Sequence, residues 1–288
     1  MTASLEKLLK KNVAKSYSRV DVRSVADLGK SVLPSGLKQQ YIFMPNQVRD
    51  AYLVSALRIL VKDGGRIKSK EDETSSSDTS DSEDEFSMKK AQSAIVFCST
   101  CERAARLQSM LVELGIDCIA LHSILSQDRR RAALGKFQSR MARILVATDV
   151  ASRGLDIPQV DLVINANLPR RSSDYVHRVG RTARAGRRGL AVSLVGEDEI
   201  ALVHSIEKAT GRILEKCEEV ADVDALKMLG AVGKATRVSK MKLTEIGFDD
   251  LLKRHIERKE KDRKDRRKAE RAAKKAADRV LKKKRKLK

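Results

Sequence analysis

The run His177-Arg178-Val179-Gly180-Arg181-Thr182-Ala183-Arg184-Ala185-Gly186-Arg187-Arg188-Gly189 sets guanidinium groups between small residues. Guanidinium groups are almost never buried without a partner, so so many of them in one run point to an anion rather than to a packed core. Arg181 and Arg184 stand three residues apart. A single helical turn would place both on one side, where two planar forks can grip one phosphate group. In phosphoryl transfer such an arginine stabilises the charge of the moving group and contributes roughly 10³ to 10⁵ in rate. A basic helix that simply binds nucleic acid is the plainer reading of the same residues.

A second run, Ala147-Thr148-Asp149-Val150-Ala151-Ser152-Arg153-Gly154-Leu155-Asp156-Ile157-Pro158, follows directly on the strand-like Arg143 to Val146. Ligands of open parallel sheets bind at the carboxyl ends of strands. Here Gly154 permits close backbone approach, Thr148 offers a hydroxyl, and Asp156 offers an acceptor for a sugar hydroxyl. Cys98 and Cys101 form a C-x-x-C, but neither Cys118 nor Cys217 has a Cys or His partner at ligand spacing. The pair reads as a strand-end thiol beside a helix start, and no metal site is assigned.

To bring these loops together the chain needs a sheet with all strand ends on one side. From Gln39 to about Gly211 short apolar runs (Tyr41 to Met44, Ala94 to Phe97, Cys118 to Leu121, Ile144 to Ala147, Leu162 to Ile164, Leu190 to Val195) alternate with segments of helical period. That alternation predicts an α/β fold, a parallel sheet with helices on both faces in three layers. The expected organisation is a leading segment at 1–36, with an amphipathic stretch (Leu5, Leu8, Leu9, Val13) and a connector, then an α/β domain at 37–213. A helical extension at 214–250 and a disordered basic tail at 251–288 follow. The domain is interrupted at 68–90 by serines and threonines set among eight acidic residues between Glu71 and Glu85. Such a segment cannot bury enough apolar surface to offset its ordering entropy and is expected to be a disordered loop.

Formal net charge is +21, of which the segment from residue 251 holds about two thirds. That balance suits a polyanion, nucleic acid or an anionic membrane surface, and the end of the tail, Lys282 to Lys286, reads as a nuclear-localisation or RNA-contacting patch. No apolar run approaches the roughly 20 residues of a membrane span, and no leader pattern opens the sequence, which points to cytosol or nucleus.

Together the motifs resemble the DEAD-box RNA helicases, in that family's order and spacing. Ile95 to Thr100 looks like motif IV, Gln127 to Arg130 like the Q-x-x-R element, Thr148 to Asp156 like motif V, and His177 to Arg187 like motif VI. The His that opens motif VI points to the DEAD-box branch and away from DEAH or DNA-directed helicases. Ala183 stands where most members have Gly. The resemblance implies the RecA-like C-terminal domain of the family, closest to the nucleolar pre-ribosomal RNA subfamily typified by yeast DEAD-box protein eight. It implies Arg181 and Arg184 as catalytic fingers on the terminal phosphates of ATP, Gly154 beside the nucleotide and Asp156 on its ribose. Thr100, Arg130 and Thr148 would lie along RNA, while Arg153, His177 and Arg178 would couple the two sites across domains. ATP with Mg²⁺ is the implied cofactor of the complete enzyme, the Mg²⁺ ligands lying outside this chain, and pre-ribosomal RNA and the family's first RecA-like domain are the implied partners of a nucleolar monomer. The P-loop G-x-x-x-x-G-K-[ST] and the Asp-Glu-Ala-Asp run do not occur in the sequence. The expectation is therefore a piece of a helicase starting at an internal Met, inactive alone; a non-enzymatic RNA-binding module is the alternative.

Overall fold

The computed structural model describes residues 33–65, 90–152, 157–183 and 187–265, with residue 270. Seven strands run parallel in the order β3-β4-β2-β5-β6-β1-β7. They are β1 Leu37–Phe43, β2 Ala94–Cys98, β3 Cys118–Leu121, β4 Ile144–Thr148, β5 Leu162–Asn165, β6 Gly189–Val195 and β7 Glu215–Lys216. The helices are α1 Arg49–Leu60, α2 Cys101–Glu113, α3 Gln127–Gln138, α4 Asp149–Ser152, α5 Ser172–Val179, α6 Ile200–Thr210 and α7 Asp222–Glu245. An eighth, α8, spans 248–265.

Strands β2, β4 and β5 are buried at every position. A strand covered on both faces reads as an unbroken apolar run, which is why these three stand out in the sequence. Successive side chains point to opposite faces and so feed two cores. Val96, Val146 and Ile164 join Leu53 and Leu57 of α1, Leu107 and Leu111 of α2 and Val232 of α7. Ile95, Phe97, Leu145 and Val163 join Phe137 of α3, Tyr175 and Val179 of α5 and Ile206 of α6. Three layers result, as the alternation predicts.

The extension is more than an appendage. Helix α7 lies across α1 and α2, where Tyr52 Oη donates to Asp222 Oδ1 (2.8 Å), Ser239 Oγ donates to the Arg106 carbonyl (3.0 Å), and Lys242 pairs with Glu113. Helix α8 differs from expectation, since it carries ordered helix fifteen residues into the segment read as a disordered tail from 251. Its composition is polar, but Phe248 and His255 are buried, and two docked rings suffice to hold one side of an otherwise solvated helix. Residues 1–32, the acidic run 66–89 and the chain after residue 270 lie outside the described residues.

Candidate functional site

In a parallel sheet every strand ends at the same edge, here called the exit edge. Thr148 closes β4 in register with Cys98 of β2, Leu121 of β3 pairs with Ala147, and Asn165 of β5 pairs with Phe97. Three residues that the sequence assigns to RNA therefore follow adjacent strands: Arg130 in the first turn of α3, nine residues past β3, Thr148 at the end of β4, and Thr100 two residues past β2. Neighbouring strands are about 4.8 Å apart, so the three form a row across the edge. Thr100 is exposed and caps α2, its Oγ1 accepting from Arg103 N (3.1 Å). Ser126 caps α3 in the same way, accepting from Arg129 N (3.3 Å). A hydroxyl that caps as an acceptor keeps its proton to donate, and helix N-termini turn backbone amides and a positive dipole end toward anions. Arg130 is half-buried, with Nη1 donating to Gln127 Oε1 (3.2 Å), and Thr148 is buried.

Behind this row lies Arg178, only 2% exposed. It reaches from the last turn of α5 to bind Asp149 with both arms, Nε to Oδ1 at 2.6 Å and Nη2 to Oδ2 at 2.8 Å. Its remaining nitrogen, Nη1, donates to Asn165 Oδ1 (3.1 Å) and to the Asn167 carbonyl (2.6 Å), and the guanidinium carbon lies 5.2 Å from the centre of the Phe97 ring. A single cation thus joins the ends of β2, β4 and β5 to α5. Beside the expected interdomain role of Arg178 stands an intradomain one: its donors are engaged inside the domain, because an arginine buried this deeply is stable only when its whole fork is matched. His177, its neighbour, is exposed.

Arg181 sits elsewhere. Helix α5 ends at Val179 with Gly180 as its C-cap, so Arg181 lies beyond the helix rather than within a helical turn. Arg181 occupies the turn that follows. Its carbonyl accepts from Val160 N (3.1 Å), and Thr182 Oγ1 donates to the Asp161 carbonyl (3.2 Å). Val160 and Asp161 precede β5, so this turn is moored at the start of a strand whose other end belongs to the exit edge. A four-residue strand separates the two by about 13 Å. Ala183 has a φ of 57°, in the left-handed region that favours glycine. A Cβ on Gly189 would overlap Thr182 Oγ1 and the Ala183 backbone, so β6 can begin here only with glycine. Arg153, Gly154, Asp156 and Arg184 lie outside the described residues.

Along the same edge, over the ends of β2, β5, β6 and β1, a polar cleft of about 330 Å³ is lined in part by Arg49, Asp50, Arg103, Asn167, Asp198 and Glu199. Its cations are matched: Arg49 to Glu199 at 2.7 Å, Arg103 to Asp50. None of these residues stood out in the sequence, because single charges in separate loops carry no pattern until the sheet aligns them. Asp149 and Asn165 were missed for the same reason, although an acid directly after an apolar strand was a usable signal. Burial pushes the Cys98 thiol up to about 12, which makes it a protonated core residue. Among the described residues no three Asp, Glu, His or Cys side chains converge as a metal ion requires. The resemblance places the Mg²⁺ ligands in the Asp-Glu-Ala-Asp run and P-loop, which this sequence does not contain.

Comparison with known proteins fits this geometry. Residues 79–186 match the Helicase conserved C-terminal domain. The structure of Escherichia coli DEAD-box protein SrmB, bound to regulator of ribonuclease activity A, is 31% identical, with a TM-score of 0.50 over 65% of this chain and 93% of that one. The chain belongs to the DEAD-box RNA helicases. DEAD-box ATP-dependent RNA helicase 36 of Arabidopsis thaliana is 41% identical over 90% of this chain and 46% of its own length. ATP-dependent RNA helicase dbp8 of Schizosaccharomyces pombe is 39% identical over 79% of this chain and 44% of its own. This DEAD-box chain thus spans about half the length of the curated relatives it matches. Saccharomyces cerevisiae Dbp5 bound to RNA and ADP BeF₃ shares the fold, at 23% identity and a TM-score of 0.55. No described helix is long and apolar enough to cross a membrane.

Proposed function

We propose that this chain supplies the RNA row and the arginine fingers of an ATP-dependent RNA helicase whose phosphate-binding half lies in another segment. Arg181 and Arg184 would stabilise the charge of the leaving γ-phosphoryl group, with Asp156 on the ribose and Gly154 against the nucleotide. Thr100, Arg130 and Thr148 would hold phosphates and sugar hydroxyls, a mode that grips RNA regardless of base sequence. His177 and Arg153 would link the two sites. Closure of the two halves would assemble the catalytic centre, so neither half turns over ATP at an enzymic rate alone. The observation that carries this reading is the row of Arg130, Thr148 and Thr100 across three adjacent strand ends, with the Arg181 turn moored one strand length away. The substrate is proposed to be a ribosomal RNA precursor in the nucleolus, on the subfamily resemblance and the basic tail.

The test is ATP hydrolysis in the presence of RNA, by the 288-residue chain alone and by the chain joined to a segment with a P-loop and Asp-Glu-Ala-Asp run. The expected result is turnover only in the joined protein, lost by roughly 10³ or more in Arg181→Glu with its melting temperature unchanged. Clear turnover by the chain alone, or normal turnover in Arg181→Glu, overturns the reading. RNA binding without catalysis is the second reading, favoured by the presence of Thr100, Arg130 and Thr148 together in this one domain. Its signature is affinity indifferent to ATP and falling with salt at about −0.7 log unit per neutralised phosphate.

A further inference from the structure

Arg130 is the member of the RNA row farthest from a strand. Thr148 ends β4 and Thr100 lies two residues past β2, whereas Arg130 stands nine residues past β3, beyond a loop and in the first turn of α3. That turn has little packing of its own: residues 126–129 are exposed, and α3 buries only Ala133 and Phe137 of its twelve residues. A helix that short is marginal without tertiary support. The direction of its first turn therefore depends on what fixes the loop before it.

The loop closes on itself where Leu125 N donates to the His122 carbonyl (3.2 Å), and α8 grips it twice. Gly247, with a φ of 70°, ends α7 and lets the chain enter α8. Phe248 is buried and sets its ring edge-on to His122, centroids 6.3 Å apart at 88°. Two turns on, His255 Nε2 and Ser123 Oγ share a hydrogen bond of 2.9 Å. His122 is only 3% exposed, and its Nδ1 has no hydrogen-bond partner among the described residues. A buried nitrogen without a partner is costly and is tolerated only while packing keeps water away. Phe248 supplies part of that cover. Without it, hydration of Nδ1 favours a His122 turned out toward water, and the loop loses its present course.

We propose that Phe248 and His255 are positioning residues for RNA binding: by clamping the loop between β3 and α3 from outside, they set the cap of α3 and, through it, Arg130. This rests on the RNA reading above. Ser126 is the link, because its Oγ accepts from Arg129 N (3.3 Å) and its carbonyl from Arg130 N (2.9 Å). A shift of the loop at Ser123 is thus carried three residues on to the amides that define the first turn. With seven Lys or Arg against six Asp or Glu in 248–265, α8 has little net charge, which suits a clamp rather than an element that holds phosphate itself.

The test is a double-mutant cycle in the full chain, read by fluorescence anisotropy of a labelled single-stranded RNA decamer. Arg130→Ala should weaken binding about tenfold, as loss of one charge-assisted hydrogen bond does. Phe248→Ala should weaken it about threefold or more, and should add nothing further in the Arg130→Ala background, because both act at one contact. Phe248→Leu, which keeps apolar cover over His122, should recover most of the loss. Hydrogen exchange at the Arg129 and Arg130 amides, measured without RNA, should quicken in Phe248→Ala. Should Phe248→Ala fail to fold, Ser123→Ala removes only the hydrogen bond to His255 and enters the same cycle with a smaller loss. Unchanged affinity or unchanged exchange in folded Phe248→Ala, or an equal loss of affinity in both backgrounds, overturns the positioning role and leaves the RNA reading standing. Unchanged affinity in Arg130→Ala overturns the RNA reading of Arg130, and the positioning role with it.

Discussion

At the scale of single residues, Arg178 is the most consequential side chain in the described site. It matches one carboxylate and two strand-end oxygens at once, and a buried pair broken on one side leaves an uncompensated charge. Arg178→Ala is expected to lower stability by about 3 kcal/mol or more, measured by urea unfolding. Arg178→Lys should recover only part of this, because a single ammonium cannot reproduce the two-armed contact. Ala183 gives the opposite case. A non-glycine residue in the left-handed region carries about 1 kcal/mol of strain, so Ala183→Gly should raise the midpoint by a fraction of that, and Ala183→Val should lower it. The motif VI residues were legible as a group, but their division of labour was not. Arg178 and Arg181 are three apart in sequence, yet one is an interior tie and the other sits in a turn on the far side of a helix end.

At the scale of elements, the docking of α8 has a built-in acid sensitivity. Burial, and then the neighbouring His255, lower the His122 ring from 6.5 to about 4. His255 is lowered by burial and by Lys259 and Arg258. The folded protein holds these rings neutral, while the unfolded chain takes up protons near 6.5. The stability they contribute is therefore complete above about pH 6.5 and is lost as pH falls toward 4. Helical circular dichroism and tryptic cleavage after Lys253 or Arg254 should report release of α8 as pH drops from 7 to 5, and His122→Leu should flatten that response. Helices α1, α2, α3 and α6 were legible as segments of helical period between apolar strands, although α3 buries only Ala133 and Phe137. Helix α5 was not, because its eight residues carry the charged motif. The docking of α8 was also hidden, since two isolated rings in a charged segment give no apolar periodicity to read.

At the scale of the whole molecule, the two proposed sites lie at opposite ends of β5, the proposed RNA row at the exit edge and the Arg181 turn at the start. Helix α5 connects them, and its Arg178 ties that helix back to the exit edge. A prediction belongs to this scale: Asp149→Asn, which cuts the tie without touching either proposed ligand, should weaken both RNA affinity in the full chain and turnover in a joined protein. An effect on one alone would separate the two sites. The sequence by itself determined the parallel three-layer fold and the helicase motifs, because continuous apolar strands and closely spaced guanidinium groups are local patterns that survive without coordinates. The order of strands, and hence the row formed by Arg130, Thr148 and Thr100, was decided only in three dimensions, because residues 100 and 148 meet only when β2 and β4 pair. Burial decided the rest: it is the matching of a whole guanidinium fork, invisible in one dimension, that turned Arg178 from a surface cation into an internal tie.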